Sequence, residues 1–377
     1  MTLLGRYLGR AIFAAVAFVL LGFLALFSFF DLINQLQDVG RGAYGLQHAL
    51  AVVALDLPGH VYELMPIAAL IGTIYALAQF ASRSEFTAMR AAGLGRRQAL
   101  ATIGRVGLWF ALFTAIVGEG LTPVAEKLSQ QVRLAALGGA VGGQFRSGLW
   151  VKDTRKDAQG NVERQRFVNI GELRPDGSMR AIQVFEFDRG FRLVEILDAA
   201  SGRFEMPSAW RLESVVRTTF EPVDLAGRAV ALRAQRNDLP SYRWTSELSQ
   251  DILTVLMLVP ERMSVWSLAQ YAQHLRENRQ RSDRYEIALW RKLVYPLAVV
   301  VMMALALPFA YLQARAGGIG YKVFAGIMLG VTFHFLNSLF SHLGLLNTWP
   351  PWLAAIVPSA LALALAGVML AWVDRAR

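Results

Sequence analysis

The chain contains no cysteine among its 377 residues. This absence excludes structural disulfides and metal sites built on thiolates. No Gly-x-x-x-x-Gly-Lys-[Ser/Thr] motif occurs, so the chain does not cradle a nucleotide in a phosphate-binding loop. Its five histidines are scattered and form no His-Glu-x-x-His pair. We find no Ser or Asp constellation for hydrolysis, and these absences together argue against an enzyme.

Charge is scarce over most of the chain. Residues 125–284 hold 44 of the 66 charged residues, although they make up less than half of the length. Because 55% of all residues are hydrophobic, this distribution predicts one water-facing block inside a membrane-embedded frame. The net charge of +10 is not gathered into one basic cluster, so anionic lipid is a more natural partner than nucleic acid.

Long uncharged runs predict six transmembrane helices. The runs are 11–30, 64–82, a segment at 98–122 that contains two charges, 293–314, and 323–373, which the segment 347–351 divides into two. Pro58 and Gly59 are expected to break the chain before the second span, and Pro123 to end the third. Arginines crowd the short connections on one side, so the positive-inside tendency predicts that both termini are cytoplasmic.

The polar block alternates apolar and polar residues. Trp210, Leu212, Val216 and Phe220 would share one face of a strand. Further short strands are expected at 148–151, 167–170, 182–187, 191–197, 230–233 and 242–245, with turns at 175–177 and 188–190. Many short strands at this spacing predict a sandwich or a jelly roll.

These patterns predict an α-helical membrane protein with six transmembrane helices plus an inserted all-β, jelly-roll-like periplasmic domain. Residues 1–124 would form helices 1–3, residues 125–263 the β domain, and residues 264–377 an amphipathic linker helix with helices 4–6.

The segment 82–95, between the second and third spans, is too polar to cross a bilayer. Phe86, Met89 and Arg90 are spaced i, i+3 and i+4, which places them on one face of a short helix. We expect an amphipathic helix on the cytoplasmic side that presents Glu85, Phe86 and Met89 to a partner. An ordinary interfacial loop helix fits the spacing equally well.

Four basic residues are expected at the outer rim of the membrane, namely Arg41, Arg133, Arg291 and Lys292. Basic residues at this level run against the positive-inside tendency. Arginine binds phosphate bidentately and lysine binds it as a point charge, so lipid phosphate is a candidate ligand. Snorkelling to ordinary headgroups explains each residue, taken singly, equally well.

Three segments together resemble the LptF/LptG (YjgP/YjgQ) permeases, the transmembrane subunits of the lipopolysaccharide-export ABC transporter. They are 84–93, Gly148-Leu-Trp-Val-Lys-Asp153 and Arg284-Tyr-Glu-Ile-Ala-Leu-Trp-Arg-Lys-Leu-Val-Tyr-Pro296. The resemblance covers the whole chain in order, and the second and third segments are more similar to the LptG branch. It implies an inner-membrane permease that extracts lipopolysaccharide from the outer leaflet and passes it to a periplasmic bridge.

The resemblance also implies partners. They would be an LptF permease subunit, a cytoplasmic LptB ATPase dimer, a single-span LptC subunit beside the first helix, and the periplasmic LptA bridge. ATP and Mg would be bound by the ATPase, and no cofactor by this chain. Residues 82–95 would be the coupling helix, with Ser84, Glu85, Phe86, Met89 and Arg90 as its coupling residues.

Helices 11–36 and 323–343 would form lateral gates around an apolar cavity. Arg133 resembles a basic position of the family, whereas Asp31, Gln37 and Asp38 stand where enteric members tend to carry lysines. Arg41 is the nearest substitute for those lysines.

Two rival functions remain open from the sequence. An ion-coupled secondary transporter would use Glu63, Glu119 or His334, because ionisable residues inside a membrane are functional candidates. A membrane-anchored scaffold would instead bind periplasmic partners through the β domain without moving lipid.

Overall fold

A computed structural model describes residues 3–93, 95–137, 148–156, 162–174, 177–205, 209–224, 230–246, 248, 253, 260–277, 280–311 and 318–375. The helices before the inserted unit are α1 (Leu3–Leu36), α2 (Leu46–Ser82), α3 (Glu85–Ala91), α4 (Arg96–Ile116), a π turn (Val117–Leu121) and α5 (Thr122–Ala136). Those after it are α6 (Val265–Glu277), α7 (Asp283–Ala306), α8 (Pro308–Tyr311), α9 (Ile319–Leu346) and α10 (Pro351–Arg375).

Six helical stretches in the described part of the chain are long and apolar enough to cross a membrane. They are Leu4–Leu36, Leu46–Ser82, Arg97–Ala136, Asp283–Tyr311, Ile319–Leu346 and Pro351–Trp372. The predicted number and order of spans are therefore confirmed.

Two expected helix breaks are wrong. Pro58 and Pro66 both lie inside the continuous helix α2, since membrane helices tolerate proline where neighbouring helices enclose the freed carbonyls. Pro123 does not end the third span, because α4, the π turn and α5 follow one another without interruption to Ala136. The buried Thr122 hydroxyl donates to the Val117 carbonyl at 3.0 Å and satisfies one of the carbonyls at this junction.

The inserted unit consists of β1 (Leu149–Lys156), β2 (Val162–Leu173), β3 (Met179–Phe187), β4 (Leu193–Glu205), β5 (Ala209–Asp224) and β6 (Val230–Thr245). All described strands belong to one antiparallel sheet in the order β1-β2-β3-β4-β5-β6. The all-β insertion is confirmed. The observed strand order is that of a meander, which needs no crossing connections between the described strands.

The last two predicted strands are in fact one. β6 passes through Pro240 without a break, and it pairs with β5 from Ala209–Thr245 to Asp224–Val230. Proline removes a backbone donor and is tolerated on an edge strand, and β6 is the last strand of this sheet.

One face of the sheet is buried. Val168, Ile170, Ile182, Val184 and Leu197 are at most 2% exposed and form a single apolar cluster across β2, β3 and β4. The cluster continues onto the indole rings of two tryptophans in β5 and β6. The period-two pattern places Trp210 and Leu212 in β5 on this buried face, as expected. Ser214 then has a positive φ of 51°, and Val215 rather than Val216 is buried, so the expectation that Val216 and Phe220 share the face of Trp210 is wrong.

Helix α1 packs closely against α2 at Gly72. A Cβ atom at this position would lie 2.6 Å from both the Cα and the backbone nitrogen of Val16. Only glycine lets the two backbones meet at this distance. On its far side α1 is open, and only 17% of its most apolar stretch is buried within the chain, against 78% for α2.

Candidate functional site

The short helix α3 lies between the second and third spans, as predicted. Ser84 precedes it with a positive φ of 57°, and Gly93 follows it with a φ of 96°, so both ends turn sharply. The Tyr7 hydroxyl on α1 donates to the Glu85 carboxylate at 3.2 Å, and Arg83 lies 3.9 Å from the same side chain. Glu85 is therefore held at the surface, with its side chain 32% exposed.

The expectation that Phe86 and Met89 face a partner is wrong. Phe86 is 3% exposed and Met89 is 8% exposed, because both pack into the core formed by this chain's own spans. The Phe86 ring meets the Tyr311 ring edge to face at a centroid distance of 5.2 Å. These two side chains anchor α3. Arg90 lies in α3, and its side chain falls outside the described residues.

Two of the predicted phosphate ligands, Arg41 and Arg133, converge on one carboxylate. Asp38 lies 2.7 Å from Arg41 through one oxygen and 3.3 Å from Arg133 through the other. The backbone supports the arrangement, because the Ala43 N–H donates to the Ala136 carbonyl at 2.8 Å. The turn between α1 and α2 is thus tied to the end of α5. Asp38 stands where enteric members of the resembled family tend to carry lysine. In this chain its carboxylate forms ion pairs with both arginines.

The other two predicted ligands, Arg291 and Lys292, border a cavity of about 230 Å³. Arg291 donates to the Ser341 hydroxyl at 3.3 Å. Lys292 is buried, donates to the Met263 carbonyl and lies 3.9 Å from Glu119. The cavity is lined by Tyr62, Glu63, Glu261, Ala288, Arg291, Lys292, Tyr295 and His334. Among the described contacts, none joins this pair of basic residues to the pair around Asp38.

Sequence reasoning missed Arg262, which lies on the connection between the sheet and α6. Its guanidinium is 3.0 Å from Glu126, 3.6 Å from Asp56 and 3.7 Å from Glu63. Burial alone lowers the pKa of Arg262, but the carboxylates outweigh that effect and raise the pKa above its ordinary value. The signal that could have revealed this network was the set of carboxylates within apolar helices, since such groups need a cationic partner.

Two of the three residues proposed for ion coupling, Glu63 and Glu119, have partners of their own. Glu63 belongs to the network around Arg262. Both carboxylate oxygens of Glu119 accept from the Val265 N–H at 3.0 Å, at the start of α6. His334 lines the cavity beside Arg291.

Six helices long and apolar enough to cross a membrane, with a β unit inserted between the third and fourth, identify a polytopic membrane protein. Comparison with known families specifies which one. The chain belongs to the family described as lipopolysaccharide export system permease LptF/LptG, whose sequence profile matches residues 6–372.

Individual relatives agree with this assignment. The chain is 30% identical over 359 residues to the lipopolysaccharide export system permease protein LptG of Escherichia coli (strain K12), with 95% of this chain and 94% of that protein covered. It is 29% identical over 370 residues to the protein of the same name from Haemophilus influenzae, with 98% and 97% covered.

Proposed function

We propose that this chain is the permease subunit of an ABC-type exporter that extracts lipopolysaccharide from the outer leaflet of the bacterial inner membrane and hands it to a periplasmic bridge. The observation that carries the proposal is the position of α3. Its apolar residues are fixed in the core of the chain, while Glu85 remains partly exposed beside Tyr7 of the first span. A rigidly anchored helix with one accessible acid suits the transmission of force from a separate ATPase.

The proposed partners are an LptF subunit in the membrane, an LptB dimer that binds ATP and Mg, a single-span LptC and periplasmic LptA. We assign the connections that carry α3 and both termini to the cytoplasm, and the sheet to the periplasm. The family membership supports this assembly, and the arginine-rich segment around α3 supports its orientation.

The open faces of α1 and α9 supply the surface for lipid. Phe18 on α1 is 77% exposed and Phe335 on α9 is 63% exposed, and little of either helix is buried within the chain. Relative to water, an acyl chain gains about 25 cal/mol of binding free energy for each Å² of apolar surface that it buries against these helices. Closure of the cavity must therefore supply comparable work to expel the chain. We propose that α1 and α9 act as lateral gates.

The paired basic residues would receive the phosphates. Arg41 and Arg133 already share a carboxylate, so a lipid phosphate would compete with Asp38 for the same donors. Arg291 borders a cavity and can reach a second phosphate. Lys292 donates a hydrogen bond to the Met263 carbonyl. We propose that Lys292 stabilises the segment around Met263 and does not bind lipid phosphate directly.

The test is reconstitution of this chain with its partner permease, the ATPase and the bridge proteins in vesicles that contain lipopolysaccharide. Glu85→Lys is expected to leave the complex assembled and to abolish lipid release driven by ATP. Glu221→Lys, at an exposed acid of β5, is the matched control and should export normally. Unchanged export by Glu85→Lys would refute the coupling mechanism. Export by this chain without any ATPase would favour the ion-coupled alternative.

A further inference from the structure

The inserted sheet is connected to the spans by two chain segments. One leaves from the end of α5 toward β1, and the other returns after β6 through residues 260–264 into α6. The returning segment contacts α5, the helix that precedes the outgoing segment. Arg262 on the returning segment donates to Glu126 on α5 at 3.0 Å.

The contact is part of a larger network. Asp56 and Glu63 lie two turns apart on α2, and both carboxylates contact the Arg262 guanidinium. Gly59 lies between them on α2 and also faces Arg262. A Cβ at Gly59 would lie 3.4 Å from the guanidinium, so the Arg262 side chain lies directly against α2 at this glycine. Ser129 completes the arrangement by donating to Asp56 at 3.2 Å. One guanidinium thus joins α2, α5 and the returning segment.

The residues after Arg262 are fixed in the same way. Lys292 on α7 binds the Met263 carbonyl, and Glu119 in the π turn accepts from the Val265 N–H. A carboxylate at the start of a helix is also favoured by the helix dipole. Side chains of the second, third and fourth spans therefore hold the returning segment at three of its residues, Arg262, Met263 and Val265.

We propose that Arg262 is a positioning residue that clamps the segment returning from the inserted sheet to α2 and α5, so that a movement of these spans is passed to the sheet through that segment. The role of this clamp in export rests on the proposed function. If ATP hydrolysis moves the spans, the clamp passes that movement to the sheet. Of the described side chains in this network, Arg262 is the one that lies on the returning segment and contacts both α2 and α5.

The experiment uses the absence of cysteine in this chain. Spin labels are attached at Gln37→Cys and Asn237→Cys, two exposed positions on the helical part and on the sheet, in the assembled complex. The distance distribution between the labels is measured together with lipopolysaccharide released per ATP hydrolysed. The variants are Arg262→Gln, the milder Arg262→Lys, and Arg276→Gln as a control at an exposed arginine of α6.

Arg262→Gln is expected to broaden the distance distribution and to lower lipid released per ATP by about fivefold or more, while ATP hydrolysis continues. Glu126→Gln should have the same effect, and the two changes together should add little, since they break one network. If Arg262→Gln prevents assembly, Arg262→Lys is the deciding variant, because one ammonium group cannot span three carboxylates.

An unchanged distance distribution would overturn the clamp. A broadened distribution with unchanged lipid release per ATP would overturn its role in coupling. The two proposals fail differently: if the unaltered complex releases no lipopolysaccharide, the proposed function is wrong, while the width of the distribution still decides whether Arg262 clamps the sheet.

Discussion

The Tyr7 hydroxyl donates a hydrogen bond to Glu85 across the gap between the first span and the short helix α3, at 3.2 Å. Tyr7 also lies against Phe80 of α2, with ring centroids 5.5 Å apart. One tyrosine thus links the helix that would gate the lipid cavity to the helix that would receive the force. This hydrogen bond predicts that a movement of α3 is transmitted directly to α1.

Tyr7→Phe keeps the contact with Phe80 and removes only the hydrogen bond to Glu85. Because this hydrogen bond is exposed to solvent, which competes for both groups, we expect little change in thermal stability. Lipid released per ATP should nevertheless fall, since α1 is no longer joined to α3 by a polar contact. The measurement is the ratio of lipid release to ATP hydrolysis in vesicles. A ratio equal to that of the unaltered chain would contradict the proposed link.

Asp38→Asn is expected to increase the retention of lipopolysaccharide. The change removes the carboxylate that occupies Arg41 and Arg133, so both guanidinium groups become available to phosphate. The gain should be about 1 kcal/mol, or roughly fivefold in affinity, because exposed ion pairs are weak competitors. Lipid that co-purifies with the complex can be quantified by mass spectrometry. Arg133→Gln should change retention in the opposite direction, and equal retention by both variants would refute the phosphate assignment.

The inserted sheet should lose stability in acid through Glu186. Desolvation raises the pKa of this buried carboxyl, but Arg166 and Arg164, bound at 2.7 and 2.6 Å, reverse the shift, so its pKa lies below the ordinary value. A depressed pKa in the folded state contributes stability above the ordinary value of 4.5, and that stability is lost as the pH falls through the folded pKa.

Proteolysis of the sheet in the full chain, followed between neutral pH and pH of about 3, measures this effect. Glu186→Gln should reduce stability by about 1–3 kcal/mol at neutral pH, because Arg166 loses a charged partner but keeps Asp153 at 3.7 Å and the Thr245 carbonyl. It should also remove most of the pH dependence. A steep acid transition that survives in this variant would assign the effect to another carboxyl group.

Gly72→Val should separate α1 from α2. The added Cβ would lie 2.6 Å from the Val16 backbone, which cannot yield as a flexible side chain would. Overpacking of this kind costs about 1–3 kcal/mol or forces the helices apart. Gly104→Val is the control, because a Cβ at this helical glycine meets nothing within 4 Å. Thermal unfolding of the purified chain should show a lower midpoint for the first variant alone.

The sequence predicted the spans because twenty uncharged residues in a row have few alternatives in water. It misplaced the breaks at Pro58 and Pro123, because local propensity takes no account of the neighbouring helices among which proline is tolerated inside a membrane helix. The meander order of the strands likewise depends on which edges pair, and the period-two pattern specifies faces rather than neighbours.

The candidate site was predicted in part. Spacing located α3 but gave the wrong direction for Phe86 and Met89, because an apolar helix face fits a partner and the chain's own core equally well. The four basic residues were identified individually, while their division into two pairs depends on Asp38 and on contacts between distant segments. Arg262 carried no local signal, since its three carboxylates come from other helices.

The π turn at Val117–Leu121 can be viewed as a one-residue insertion into an otherwise regular helix. One additional residue rotates everything downstream by about 100°. Glu126, Ser129 and Arg133 share one face of α5, so a regular helix would swing all three away from α2 and Asp38 together. Deletion of Gly120 alone would thus break two attachments to α5 at once, that of the turn after α1 and that of the returning segment. A variant that lacks Gly120 would need compensating changes along this entire face of α5 to regain export.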